Sequence, residues 1–190
     1  PEIQFLQTLL TNAAAIIENA KTIDILKRQS ITDELTKLYN HRHFQENVGN
    51  FIRDGVHSIF SIAVVDIDQF KIYNDLYGHS AGDNALVKIA NILVESCPKE
   101  ALLVRYGGEE FGLLLPDTDL KGALQFAERL RLGVQTLTIK PYGVRCTISL
   151  GVAEADIDVK KYRELIERAD KALYIAKRNG RNIVQAYEAH

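Results

Sequence analysis

"VRYGGEEFGLLLP", residues 104–116, decides how the rest of the chain is read. Two apolar runs flank a pair of glycines and a pair of glutamates. The runs predict two strands, and Gly107-Gly108 between them predicts a two-residue hairpin turn, a place where both glycines can take positive φ. A turn alone has no use for Glu109 and Glu110. Adjacent carboxylates repel, and they stand where β-propensity is poor, just ahead of an apolar run. In a strand they point to opposite faces, so one of them can face a cleft beside the turn.

A second acid-bearing stretch, "HSIFSIAVVDIDQFKIYND" (57–75), predicts a buried strand ending in Asp66 and Asp68, which share one face with Ile67 between them. Acids at the end of an apolar strand occupy the usual ligand position of α/β sheets, although such acids also cap following helices. If the two segments are neighbours in one sheet, Asp66 and Glu109 converge with the Ile67 carbonyl. Hard oxygen donors of this kind suit Mg2+, which bridges carboxylates to substrate phosphates. Lys71, one helical turn beyond the strand, is the cation such phosphate chemistry wants.

Outward from these stretches, the pattern predicts a helix from the capping residues after Ser30 through about Arg53. Further helices are expected over about 69–77, 82–95, 119–135 and 160–178. "YGVRCTISLGVAEA" (142–155) reads as one strand and "RNIVQAY" (181–187) as a short closing strand. Strands alternating with helices and including one hairpin predict an α/β layer with a mixed sheet. Residues 3–29 read as one uninterrupted amphipathic helix, with Leu9, Ala13, Ile16, Ala20 and Ile23 on one stripe. It either packs on its own domain or pairs with a copy of itself or with an upstream domain.

With 190 residues, 46% apolar and 25% charged, the chain has the composition of a globular protein. A net charge of −2 gives no basic footprint for nucleic acid. No run approaches the roughly 20 apolar residues needed to span a bilayer. Cys97 and Cys146 lack metal-ligand spacing and are expected in the core of a protein from a reducing cytoplasm. The chain contains no methionine, even at position 1, which is expected of a fragment or a processed form.

Four ordered blocks carry a family resemblance. "DELTKLYNHRHF", "VDIDQFKIYNDLYGHSAGDNAL", "RYGGEEF" and "ADKALYIAKRNGRN" resemble the motifs of the diguanylate cyclase (GGDEF) family, spanning Asp33 to Asn182. Lys37 and His41 stand where that family commonly has glycine and arginine. The resemblance implies a nucleotidyl-cyclase-like α+β fold with a ferredoxin-like βαββαβ core over residues 31–190, preceded by a signalling helix over 1–30. "TNAAAIIENAK" also resembles the terminal helix of a GAF sensory domain.

The implied reaction condenses two GTP into cyclic di-GMP with loss of two pyrophosphates, each 3′-hydroxyl attacking the α-phosphate held by a facing protomer of a homodimer. The implied setting is bacterial, cytoplasmic second-messenger signalling beneath an upstream sensory domain. The alternative is a non-catalytic GTP-binding module acting through regulation or dimerisation.

By resemblance, Asp66, the Ile67 carbonyl and Glu109 are the metal ligands, with Glu110 an additional contact. Two Mg2+ are implied per site, with Mn2+ as a substitute. Glu109 is also the implied proton acceptor, and Lys71 stabilises charge on the phosphate. Asn74 and Asp83 read guanine, whose paired N1–H and N2–H donors suit a carboxylate, and keeping Asp83 favours two guanines in the product. Ser80 to Asp83 equally matches a helix capping box. His79 is a substrate contact, Lys177 and Arg181 hold the triphosphate, and Gly107 and Gly108 let backbone approach the nucleotide. The inhibitory product motif R-x-x-D of many relatives is replaced by Pro98-Lys99-Glu100-Ala101, so ordinary feedback inhibition there is not expected.

Overall fold

The computed structural model describes residues 12–13, 15–19, 31–54, 59–139, 143–156, 159 and 161–188. Most of the expected helix over 3–29 lies outside them, although the described residues 12–13 and 15–19 are helical.

The main sheet has the strand order β1–β3–β4–β2–β7–β8 among the described residues. Its strands are β1 (Tyr39–Asn40), β2 (Phe60–Ile67), β3 (Leu102–Arg105), β4 (Glu110–Pro116), β7 (Ile148–Glu154) and β8 (Val184–Ala186). β2 runs antiparallel to both β4 and β7, and β3 antiparallel to β4, while β1 and β8 join the edges in parallel. The inner four strands, β3–β4–β2–β7, with one helix or helix pair in each crossover, make the expected ferredoxin-like βαββαβ core.

β2 is buried along its whole length because helices cover both faces. Ala63, Val65 and Ile67 face a core built with α2 (Phe70–Tyr77), α3 (His79–Ser96) and α4 (Leu120–Thr136), including Ile89, Leu93, Leu130 and Val134. Phe60, Ile62 and Val64 face a second core with Phe44 and Val48 of α1 (His41–Asp54) and Leu165, Ala169 and Leu173 of α5 (Tyr162–Arg178). Gly151 lets α5 lie directly on the sheet: a Cβ there would stand 2.1 Å from the Ala169 carbonyl oxygen and 2.3 Å from the Leu173 nitrogen. That close approach fixes the height at which the C-terminal end of α5 passes the end of β2.

Three expectations need correction. The helix expected from Ser30 begins only at His41, because the preceding residues form a turn. Asp33 accepts from Thr36 N and Oγ1 at 2.8 and 2.7 Å, Lys37 takes φ 61°, and Asn40 Oδ1 caps the helix through His43 N. The strand expected over 142–155 is two strands. β6 (Val144–Arg145) pairs with β5 (Thr138–Ile139) in a separate ribbon, and β7 starts after Cys146-Thr147. Gly107 and Gly108 do not form a two-residue turn: strand pairing stops at Arg105 and resumes at Glu110, and neither glycine has positive φ. Both cysteines are packed against the larger core, and burial pushes their thiols up, to about 12 for Cys97 and about 11 for Cys146.

Candidate nucleotide and metal site

Antiparallel pairing of β2 with β4 carries Asp66 directly opposite Glu110, and on its other side Asp66 faces Ser149 of β7. One step further the Ile67 amide donates to the Glu109 carbonyl at 3.2 Å. The two acid-bearing segments therefore meet at one end of the sheet. From above, Lys177 in the last turn of α5 places Nζ 2.7 Å from Asp66 Oδ2.

The electrostatics follow from this crowding. Burial pushes the Asp66 carboxyl up, opposed by the hydrogen bond and charge of Lys177; Asp68 pushes it further up and Arg181 pulls it down. Glu109 and Glu110 are both pushed up, first by burial and then by the charge of Asp66, with Lys177 opposing. Three carboxyls that resist ionisation together are a site short of positive charge. Among the described residues, no three His, Cys, Asp or Glu side chains form a ready metal cage. The donor set nonetheless fits Mg2+, which commonly takes one or two carboxylates and completes its shell with water and phosphate.

The glycine hairpin is tied down rather than sharply turned. Tyr106 N and Gly107 N both donate to the Glu110 carbonyl, at 2.8 and 3.1 Å. Arg105 donates to the Gly108 carbonyl at 2.7 Å and to both oxygens of Asp33 at 3.1 Å. Burial acts to raise the Asp33 carboxyl, but bonds from Thr36 and Arg105 win and hold it below its ordinary range. The Glu110 carboxylate lies 2.5 Å from where a Cβ at Gly107 would be, so a larger residue there would push that carboxylate aside. A Cβ at Gly108 would meet nothing within 4 Å, so that side of the loop is open to a ligand.

The other half of the site lies between α2 and α3. Asn74 packs onto Gly82 so closely that a Cβ there would lie 1.9 Å from Asn74 Oδ1, which is buried without a hydrogen-bond partner. Asp83, next to Gly82, is exposed. It does not cap α3: that helix starts at His79 behind Gly78, at φ 85°, with no side-chain cap, so the capping-box alternative is not realised. Lys71 in the first turn of α2 and His79 at the start of α3 are exposed, and Gln69 leaves the N-terminus of α2 without a side-chain cap. Arg181 lines a cleft of about 310 Å3 with Asp68, Gln69, Tyr73 and Asn182. A larger apolar groove of about 480 Å3 lies between α5 and β8, and none of the residues singled out from sequence lines it.

The structure thus brings Asp66, Ile67, Glu109, Glu110 and Lys177 together, and it sets Asn74 beside Gly82 and Asp83. The reading of sequence missed Arg105 and Asp33 as the clamp on the hairpin. An arginine placed just before the glycines was the available signal.

The model of the family described as "Diguanylate cyclase, GGDEF domain" matches residues 30–183. The chain belongs to that family. It is 36% identical to Diguanylate cyclase A of Treponema denticola over 96% of this chain and 50% of the relative. It is 41% identical to Diguanylate cyclase DgcM of Escherichia coli over 90% of this chain and 42% of the relative. The chain thus spans half or less of the length of these curated relatives. Among solved structures, the coiled coil and GGDEF domain of DgcB from Caulobacter crescentus, in complex with c-di-GMP, is similar with a TM-score of 0.87. That match has 29% identity and covers 95% of this chain and 98% of the other.

Proposed function

We propose that this GGDEF domain is a diguanylate cyclase that condenses two GTP into cyclic di-GMP. The observation that carries the reading is the meeting of Asp66, the Ile67 segment, Glu109 and Glu110 at one sheet end, three carboxyls crowded together with Lys177 against Asp66.

Asp66, the Ile67 carbonyl and Glu109, with Glu110 alongside, would hold Mg2+, two ions in the full site. When bound, Mg2+ supplies Lewis acidity to the phosphate and cancels the repulsion among the acids. The protein's own groups do the rest. Lys177, against Asp66, and Arg181 draw in the triphosphate, and the uncapped N-terminus of α2 offers its N–H groups to phosphate oxygens, with Lys71 beside them. Asn74 Oδ1, buried and without a partner, takes a guanine N–H, and Asp83 accepts the adjacent one. Adenine offers no such pair of donors, so the site selects guanine. His79 borders this pocket at the start of α3.

In each half-reaction a 3′-oxygen forms a bond to the α-phosphorus of the facing GTP, and the bond from that phosphorus to the bridging oxygen breaks, releasing pyrophosphate. The hydroxyl proton goes to Glu109 as general base. One domain presents one such site, so the second GTP is supplied by a second copy. Exposed Ile16 and Ile17 on the helical residues 15–19 support pairing of the N-terminal helices to hold the copies face to face. A GTP substrate supports a cytoplasmic setting for this activity; among the described residues no helix is long and apolar enough to cross a membrane.

Incubation with GTP and Mg2+, following pyrophosphate and identifying the nucleotide by mass, tests the reading. Cyclic di-GMP with two pyrophosphates is expected. GTP binding without pyrophosphate from a demonstrated dimer would replace it with a non-catalytic GTP module, and turnover that survives Glu109→Gln would defeat the site.

A further inference from the structure

Asp68 is the strand-end acid for which the chemistry above has no task. It stands two residues from Asp66, just beyond the end of β2. Its carboxylate is already engaged. Oδ1 accepts from Ser149 Oγ at 2.7 Å, and Oδ2 accepts from Thr147 Oγ1 at 2.7 Å and from the Asn182 amide at 2.9 Å. The same amide lies 3.1 Å from the oxygen of Ser149, a fully buried hydroxyl. Three donors on two oxygens leave little lone-pair capacity for a cation.

The Asn182 amide belongs to a turn that needs holding. Gly180, Arg181 and Asn182 take φ 117°, 64° and 52° in succession, a left-handed run in which two members carry side chains. Such residues persist in that region only when their surroundings over-determine them. Here the main chain of Asn182 is held by Asp68, and its side chain is held by α4. Arg131 Nη1 donates to Asn182 Oδ1 at 2.7 Å and to Gln135 Oε1 at 2.8 Å, while its remaining nitrogens bond Glu128 at 2.8 and 2.7 Å. The Arg181 amide is fastened to the Ala176 carbonyl of α5 at 3.2 Å. Arg181 is therefore fixed on both flanks, with its side chain lining the cleft and its charge felt at Asp66.

We infer that Asp68 is a positioning residue. With Ser149, Thr147 and Arg131 it latches the Gly180–Asn182 turn so that Arg181 stands where the triphosphate of GTP enters. This rests on the reading of the cleft as a GTP site. It makes Arg131, which does not line that cleft, a determinant of phosphate binding, and it gives Asp68 a task outside the metal shell.

The test is calorimetric binding of 3′-deoxy-GTP, which lacks the attacking hydroxyl, in Mg2+ to the full chain. Asp68→Ala and Arg181→Ala are each expected to weaken binding about tenfold, and the double variant no more than either alone, since one acts through the other. Arg131→Gln touches neither Asp68 nor the cleft. It is expected to weaken binding about threefold, and to add nothing in the Arg181→Ala background. This variant carries the test if Asp68→Ala does not fold. Additive losses, or single variants of Asp68 and Arg131 that bind as wild type does, would overturn the latch alone. Failure of the wild-type chain to bind 3′-deoxy-GTP would overturn the GTP reading and the latch with it.

Discussion

The two halves of the proposed site are built by opposite means. In the proposed base half, Asn74 and Gly82 sit on consecutive helices joined at Gly78, so the contact between them is local, steric and nearly free of charge. In the proposed phosphate half, Asp66, Glu109 and the Lys177–Arg181 pair arrive from three distant segments, and only sheet register and the seat of α5 on Gly151 bring them together. The first half should fail when volume is added. The second should fail when a charge or an anchor is removed.

The largest effect is expected from neutralising the phosphate half. Asp66→Asn or Glu109→Gln should lower pyrophosphate release by about 10²–10³-fold, the usual cost of removing one preorganised electrostatic group. Circular dichroism should show the fold retained, since Asn and Gln keep the shape of each side chain.

Next comes the steric half. Gly82→Ala places a Cβ on Asn74 Oδ1 and should cost about 1–3 kcal/mol of stability by overpacking. It should also raise the KM for GTP, because Asn74 must leave its seat. A melting curve and a substrate titration check the two parts. Asn74→Ala sharpens the contrast: it adds no volume, and should leave stability nearly unchanged while lowering the preference for GTP over ITP, which lacks the 2-amino group, about tenfold. A loss of stability as large as that of Gly82→Ala would mean that Asn74 serves the packing instead.

The smallest effect concerns pH. Glu109 and Asp66 have folded-state proton affinities raised above their unfolded values, so the native state binds more protons, and stability falls as pH rises through the carboxylate range. Glu109→Gln removes one repelled charge. Without divalent cation it should melt about 1–2 °C above wild type at neutral pH, with the difference vanishing below about pH 4. Added Mg2+ should narrow the gap by stabilising wild type. Thermal scans across pH check the sign.

What was legible in the sequence follows the same division. β2 announced itself because a strand covered on both faces is a continuous apolar run, and its terminal acids stood out against that run. The neighbouring of Asp66 and Glu109 was conditional on the sheet order, which the structure supplies. Less legible were features decided at a distance. The separate strands β6 and β7 look continuous, yet the chain changes sheets at Cys146-Thr147, where the Thr147 carbonyl takes the Asp68 amide at 2.9 Å. Gly107 and Gly108 resemble a hairpin turn, but Arg105 and the Glu110 carbonyl hold that loop in another shape. Arg131 and Asn182 are 51 positions apart, and no local pattern joins them.

The most direct test of the central claim is a crystal structure of the chain with 3′-deoxy-GTP and Mn2+ in place of Mg2+, read by anomalous scattering. The expected result is a manganese peak bounded by the Asp66 carboxylate, the Ile67 carbonyl and Glu109, with the triphosphate against it and Asp68 still bonded to Ser149 and Thr147. A bound nucleotide whose metal lies away from Asp66 and Glu109 would contradict the account.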